Sequence, residues 1–290
     1  GILVTVNTSY KVFELDYQLK QSDSEAIVLI DGYKGTSYID IINELCPELE
    51  SCEPGKLKSR RLPLLKSVIY AGEGECPAGM VDWKELYTLA EKTPVEEFEA
   101  VRDSCDCHEV VNIQYTSGTT GFPKGVMLTH GNLASVVTSS CKCFQGGNSV
   151  GFLPLNHTFS WVATIFAAFI IITYGYICVD IKNLVKDFQT HHPQNFSGVP
   201  LVVGTIYKRV WKTARKTGRE EVLKKGIKIS RFLLKFGIDV RRKLFAQVHE
   251  QLGGNLKYII VGGAALDPEY EQGLYDLGIQ VLNGYGITEC

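Results

Sequence analysis

No charge of one sign dominates this chain. Its 30 lysines and arginines stand against 32 acids, a formal charge of −2 that gives no reason to expect a polyanionic partner. No secretory leader is visible, since Gly1 runs straight into the apolar Ile2 to Val6 without an initiator Met or a basic flank. No compact cysteine framework is present either. Nine cysteines lie scattered at 46, 52, 76, 105, 107, 141, 143, 178 and 290, an odd count that fits a reducing compartment such as the cytoplasm. Cys105-Asp106-Cys107-His108 and Cys141-Lys142-Cys143 suggest two halves of a zinc site, but zinc pairs usually leave two or more residues between the sulfurs, so ordinary thiols are expected. Only residues 159 to 179 lack charge for long enough to raise a membrane question, at twenty-one residues. Thr173-Tyr174-Gly175 interrupts that run, which predicts a helix, a glycine turn and a short strand, and no transmembrane segment.

What is present is ordinary globular material, 45% hydrophobic and 21% charged. Short apolar runs read as strands at 25–31, 65–70, 110–115, 125–128, 149–153, 196–199, 258–261 and 279–282, most of them stopped by Gly or Pro. Helices are predicted over 37–49, 83–90, 132–140, 201–215 and 241–252, the last closed by Gly253-Gly254 and the third capped by Asn132. Strands alternating with helices imply an α/β fold, with layered mixed sheets and helices packed on their faces. Both ends of the chain read as cut. Residues 1–109 are expected to form part of a first α/β subdomain and 110–290 a second.

Charge is locally uneven. Residues 82–109 carry nine acids against three bases, and 208–243 carry fourteen bases against three acids. The basic stretch is interleaved with Val210, Leu223, Ile227 and Leu233, as in amphipathic helices, and it has neither an aromatic platform nor zinc-finger spacing. A nucleic-acid partner is therefore not expected. A solvated helix face is the first reading of Lys208, Arg209, Lys212, Arg215, Lys216 and Arg219, and peripheral contact with an anionic membrane is the second.

The most informative segment is Tyr115-Thr116-Ser117-Gly118-Thr119-Thr120-Gly121-Phe122-Pro123-Lys124-Gly125. Three glycines let a loop turn tightly and bring backbone N–H groups to an anion. Hydroxyls at 116, 117, 119 and 120 add donors, and Lys124 adds positive charge, the ingredients for holding phosphate oxygens. The loop is neither a Walker A sequence nor a dinucleotide Gly-x-Gly-x-x-Gly.

Continued by Val126-Met127-Leu128-Thr129-His130, this loop resembles the signature of the adenylate-forming (AMP-binding) superfamily, which includes acyl-CoA synthetases, peptide-synthetase adenylation domains and luciferases. Leu153-Pro154-Leu155-Asn156-His157 resembles the family's Leu-Pro-x-x-His segment, and Gly284-Tyr285-Gly286-Ile287-Thr288-Glu289 its Tyr-Gly-x-Thr-Glu motif. Val6-Asn7-Thr8-Ser9-Tyr10 is a weaker match, with Thr8 where the family has Pro. The resemblance implies that Thr116, Ser117, Gly118, Thr119, Thr120, Gly121 and Lys124 line a phosphate loop, and that Tyr285 and Gly286 sit against adenine. It further implies that Thr288 contacts the phosphate, Glu289 holds Mg²⁺, and Gly263, Ala264 and Ala265 lie between adenine and acyl group. His157 would lie near the substrate carboxylate, its other reading being a buried core histidine.

The basic middle segment, together with Leu252 to Tyr258 before Gly262-Gly263-Ala264-Ala265, is most similar to long-chain fatty acyl-CoA synthetases. A fatty acid, ATP and coenzyme A are then the expected ligands. Alternatives are a ligase that loads an acyl carrier protein, or a catalytically silent scaffold on the same fold. The family's ribose-binding Asp, its hinge and the catalytic Lys of a small C-terminal domain would all lie beyond Cys290. This chain by itself is accordingly expected to adenylate very poorly.

Overall fold

The computed structural model describes residues 1–116, 121–142, 147–166 and 174–289. It divides into two compact units, 1–130 and 131–290. Both are α/β with helices on the sheet faces, the strand pairing being mixed in the first unit and wholly parallel in the second.

In the first unit, β1 (Leu3–Val4) pairs in parallel with β7 (Val110–Thr116), and β7 pairs antiparallel with β8 (Lys124–Thr129). The β7–β8 hairpin, which the sequence places at the head of the second part, thus belongs with the first. A second sheet, β2 (Ala26–Leu29), β5 (Ser67–Tyr70) and β6 (Val81–Asp82), is wholly parallel, and β3 (Gly32–Tyr33) and β4 (Thr36–Ser37) form a small hairpin. Helices α1 (Val12–Gln21) and α2 (Tyr38–Leu45) cover this core with Leu15, Leu19, Ile42 and Leu45. Ser37 caps α2 by accepting from the Asp40 amide at 3.1 Å, which is why the predicted helix begins where it does. The predicted helix at 83–90 is present as α3 (Glu85–Lys92), and the acidic run after it is a helix too, α4 (Val95–Ser104). Neither α3 nor α4 buries a residue.

The second unit opens with α5 (His130–Cys141), so Asn132 lies inside the first turn and not at the cap as expected. Its sheet has five parallel strands in the order β10 (Gly175–Ile177), β9 (Ser149–Gly151), β11 (Asn195–Gly198), β12 (Tyr258–Val261) and β13 (Gln280–Asn283). Between β9 and β10 the chain forms α6 (Thr158–Ser160), which runs on as a π-helical turn over Trp161–Phe166. The remaining helices are α7 (Leu184–His191), α8 (Pro200–Lys216), α9 (Glu220–Leu234), α10 (Arg241–Leu244), α11 (Ala246–Gln251) and α12 (Pro268–Asp276). The expected single helix over 241–252 is broken at Phe245, whose side chain is buried and whose backbone leaves the helical region at φ −107°. Phe188, Phe196, Val203, Leu256 and Ile259 are fully buried at the centre of this unit. Each such side chain contributes roughly 1.5–3 kcal/mol by leaving water. Among the described residues no helix is long and apolar enough to cross a membrane.

Candidate adenylate site

The first unit carries the glycine-rich loop between β7 and β8. Thr116 and Lys124 face each other across the hairpin, so the two ends of the loop are held in register. Ser117, Gly118, Thr119 and Thr120 lie outside the described residues. Gly125 is required by packing: a Cβ there would lie 2.9 Å from the Ile113 side chain and 3.1 Å from the Tyr115 ring. Tyr115 is itself buried, and burial pushes its phenol up, keeping it neutral.

The returning leg of the loop is anchored in a way the sequence did not disclose. Phe122 stacks on Tyr17 of α1 at 5.0 Å and approaches Phe13 at 6.4 Å, and the Tyr17 hydroxyl donates to the Pro123 carbonyl at 3.0 Å. The available signal was the Phe13/Tyr17 spacing, which puts two rings on one face of a helix. Gly121 has open space around it, and the exposed Lys124 ammonium has no side-chain partner among the described residues.

In the second unit all five strands run the same way, so their carboxyl ends share one edge. The chain passes from β9 outward to β10 and then to β11 on the other side of β9, which sets a reversal of strand order between β9 and β11. Connections leave such a point to opposite sides and open a crevice at the carboxyl edge. His157 stands on the loop after β9, at the N-terminus of α6. It is exposed, which removes the core reading of this side chain.

Gly262 to Ala265 follow β12, and Gly284 to Glu289 follow β13. The Gly262 amide donates to the Gly198 carbonyl at 3.3 Å and the Gly284 amide to the Val261 carbonyl at 2.8 Å, extending the ladder into these turns. The Phe159 ring covers Gly262, 3.3 Å from where a Cβ would stand. Gly263 has φ +84° and open space, and Ala264 and Ala265 are exposed. The Tyr285 ring is 99% exposed, with Gly286 and Glu289 also exposed and Thr288 half-buried. The geometry therefore gathers His157, Gly263–Ala265 and Tyr285–Glu289 at one sheet edge.

These residues fit an adenine nucleotide. A free aromatic face, a turn without bulky side chains and a buried Thr158 Oγ1 that has no hydrogen-bond partner among the described residues are features a planar polar ligand can use. One carboxylate, Glu289, suits Mg²⁺, which commonly binds through one or two carboxylates plus phosphate oxygens. No thiol nucleophile competes at this edge among the described residues. Cys178, just after β10, is buried, and burial with its hydrogen bond to Asp187 pushes its thiol up to about 12. Asp106, Cys107 and His108 bring ligand atoms within 4.8 Å of one another, but all three are exposed and the His108 amide donates to Asp106 at 2.7 Å, a local turn that accounts for their closeness. Cys143, needed for the two-pair zinc reading, lies outside the described residues.

YngI of Bacillus subtilis (strain 168), whose assigned name is acyl-CoA synthetase, is 51% identical over 143 residues, 49% of this chain and 26% of that protein. The mitochondrial medium-chain acyl-CoA ligase ACSF2 of Macaca fascicularis is 38% identical over 134 residues, 46% of this chain. The matched stretches span about a quarter of the length of these relatives, 26% and 22%. Among solved structures, the anthranilate CoA ligase AuaEII in complex with anthranoyl-AMP superposes with a TM-score of 0.67 at 14% identity, covering 99% of this chain and 46% of that one, a likeness of fold. From residue 1 to residue 290 the chain matches the model of the AMP-binding enzymes, and it belongs to that family.

Proposed function

We propose that this chain carries the nucleotide- and acid-binding part of an enzyme that joins a fatty acid to ATP, releasing pyrophosphate, and then passes the acyl group from the adenylate to the thiol of coenzyme A. The observation that carries this reading is the gathering of the His157, Gly263–Ala265 and Tyr285–Glu289 turns at the carboxyl edge of a parallel sheet where strand order reverses. When the carboxylate attacks the α-phosphorus, negative charge builds on phosphate oxygens. Lys124, unpartnered among the described residues, and the backbone N–H groups of the glycine-rich loop stabilise that charge. Thr288 donates to the α-phosphate, Tyr285 and Gly286 seat the adenine, and His157 orients the acid. Glu289 would hold Mg²⁺, which when bound would supply further neutralisation of the phosphate charge. No covalent enzyme intermediate is needed, in keeping with the protonated Cys178 at this edge.

The acceptor and the acid are read from the names of the relatives. Both are acyl-CoA-forming by name, which favours coenzyme A over a carrier protein. The second is named for medium-chain acids, so the long-chain expectation widens to a medium- to long-chain fatty acid. Each added methylene changes binding by only about 1–3 kcal/mol, too little to fix chain length from an apolar lining.

The test is ATP–pyrophosphate exchange in the full-length enzyme. Lys124→Ala and Glu289→Ala should each lower exchange by about 10²-fold or more, as loss of a preorganised charge donor does. Melting behaviour should be unchanged, because both side chains are exposed. Exchange that survives both changes within a few-fold would remove the assignment.

A further inference from the structure

A cavity lies away from the carboxyl edge of the large sheet. It has a volume of about 430 Å³ and is bounded by the last half of α8, the turn at Arg219, the start of α9 and the α10–α11 segment. Its first lining residue, Val210, is ten residues into α8, about 15 Å along the axis from the helix start at β11. The volume is within the ~300–1,000 Å³ usual for small-molecule sites.

Its chemistry is two-sided. Val210, Leu223, Phe245 and Val248 supply an apolar wall, and Gly226 lets α9 come close, since a Cβ there would stand 3.0 Å from the Phe245 ring. The rim carries two cations, Arg219 and Lys243, and no acid lines the cavity among the described residues. Val222 and Leu244 also line it while remaining 67% and 45% exposed, so apolar surface continues from the wall out to solvent. The Arg219 guanidinium is held across the rim by the Gln247 side-chain oxygen, leaving further N–H donors free, and Lys243 has no partner among the described residues.

An apolar wall with an unopposed cationic rim matches one ligand class, a molecule with an anionic head and a hydrocarbon tail. We propose that this cleft binds a single-chain anionic amphiphile, with a fatty-acid carboxylate at Arg219 and Lys243 and the chain along Val210, Leu223, Phe245 and Val248. The cleft is separate from the adenylate edge and is independent of the reaction assigned there. A chain with no adenylating activity would still bind.

The experiment is photolabelling of the whole chain with a palmitate analogue carrying a diazirine near the end of its hydrocarbon chain, followed by peptide mass spectrometry. Adducts should fall within 210–226 and 243–251. Adducts confined to 152–163 or 199–206 would place the probe at the strand edge and overturn the proposal. The paired change Arg219→Gln and Lys243→Gln should lower cleft labelling about tenfold, as loss of charge-assisted contacts does, with the melting curve unchanged. The same probe made as a neutral alcohol should label the parent as weakly as the acid labels that variant. Ala214→Phe, which fills the cavity, should abolish cleft adducts; should it fail to fold, the charge pair still decides. Absence of cleft adducts, equal labelling by acid and alcohol, or labelling that requires bilayer vesicles of two-chain lipid would each overturn the proposal.

Discussion

Two thiol environments in this chain should differ sharply in reactivity. Cys178 is 3% exposed, its thiol donates to the Asp180 carbonyl at 3.1 Å, and burial together with Asp187 pushes it up to about 12. At about pH 8 only about one molecule in ten thousand would carry the thiolate there. Cys105 and Cys107 are exposed. Timed iodoacetamide alkylation of the native chain with peptide mapping should modify Cys105 and Cys107 while leaving Cys178 untouched until denaturant is added. His249 gives a second residue-scale test. It is 4% exposed, its Nε2–H faces the Leu277 carbonyl at 2.8 Å, and Nδ1 is buried without a hydrogen-bond partner among the described residues. Burial first, and the nearby Arg242 second, lower its proton affinity from the ordinary value of 6.5, against a smaller opposing effect of the Leu277 bond. The unfolded chain therefore takes up the proton first as pH falls. Stability contributed by neutral His249 is fully present above 6.5 and declines below it, until the lowered folded-state value is reached. Urea midpoints at about pH 7.5 and about pH 5.5 should drop on acidification, and His249→Gln should reduce that drop.

At the scale of elements, Gly253 and Gly254 after α11 separate two costs of the left-handed backbone. Both have positive φ, +83° and +80°. A Cβ on Gly254 meets nothing within 4 Å, whereas one on Gly253 would lie 2.1 Å from the Phe188 carbonyl oxygen. Gly254→Ala should cost about 1–2 kcal/mol, the conformational term alone. Gly253→Ala should cost about 3 kcal/mol or more, because the backbone of α7 must also move. Denaturant titration of both variants checks the difference. That glycine pair was legible in the sequence because helix termination is local chemistry, and so were β2, β5, β11 and β12, short apolar runs with a turn residue beside them. Thr116 and Lys124, the two ends of the glycine-rich loop, were legible for the same reason, as the close of one strand and the start of the next. Pairing across distance was not. Nothing local in Leu3 shows that it will stand beside Asn112, or that Asn112 Nδ2 will donate to the Leu3 carbonyl at 3.0 Å. The break at Phe245 and the clasp of Phe122 by Tyr17 also depend on partners far along the chain. In α3 the apolar Leu89 is 54% exposed although the helix was predicted, and in α4 Val95 and Phe98 are 66% and 61% exposed.

For the molecule as a whole, a net charge of −2 conceals a division between the acidic helices at 82–109 and the basic stretch at 208–243. On α8 the basic residues lie on the face opposite Ile206, Tyr207 and Val210, the side chains turned into the core. Of the six considered for membrane contact, three are engaged within the protein. Lys208 stands over the Tyr270 ring at 5.3 Å, Arg215 pairs with Glu220 at 3.1 Å, and Arg219 is bound to Gln247. Arg209, Lys212 and Lys216 have no partner among the described residues. A basic residue beside an anionic leaflet is worth about 1 kcal/mol, so three give about 3 kcal/mol, a preference of roughly a hundredfold over a neutral surface. That attraction is purely electrostatic and shrinks as the screening length falls from about 30 Å at 0.01 M salt to about 8 Å at 0.15 M. Sedimentation with phosphatidylserine-containing vesicles should therefore retain the chain at about 0.01 M salt and release it by about 0.15 M. Arg209→Gln, Lys212→Gln and Lys216→Gln together should abolish retention, while the same change at Lys208, Arg215 and Arg219 should leave most of it. Equal sedimentation with anionic and neutral vesicles at low salt would show that this face is only solvated, and retention that persists at high salt would mean that apolar residues such as Phe232 and Phe236 on α9 and its C-terminal turn, 61% and 67% exposed, carry the contact instead.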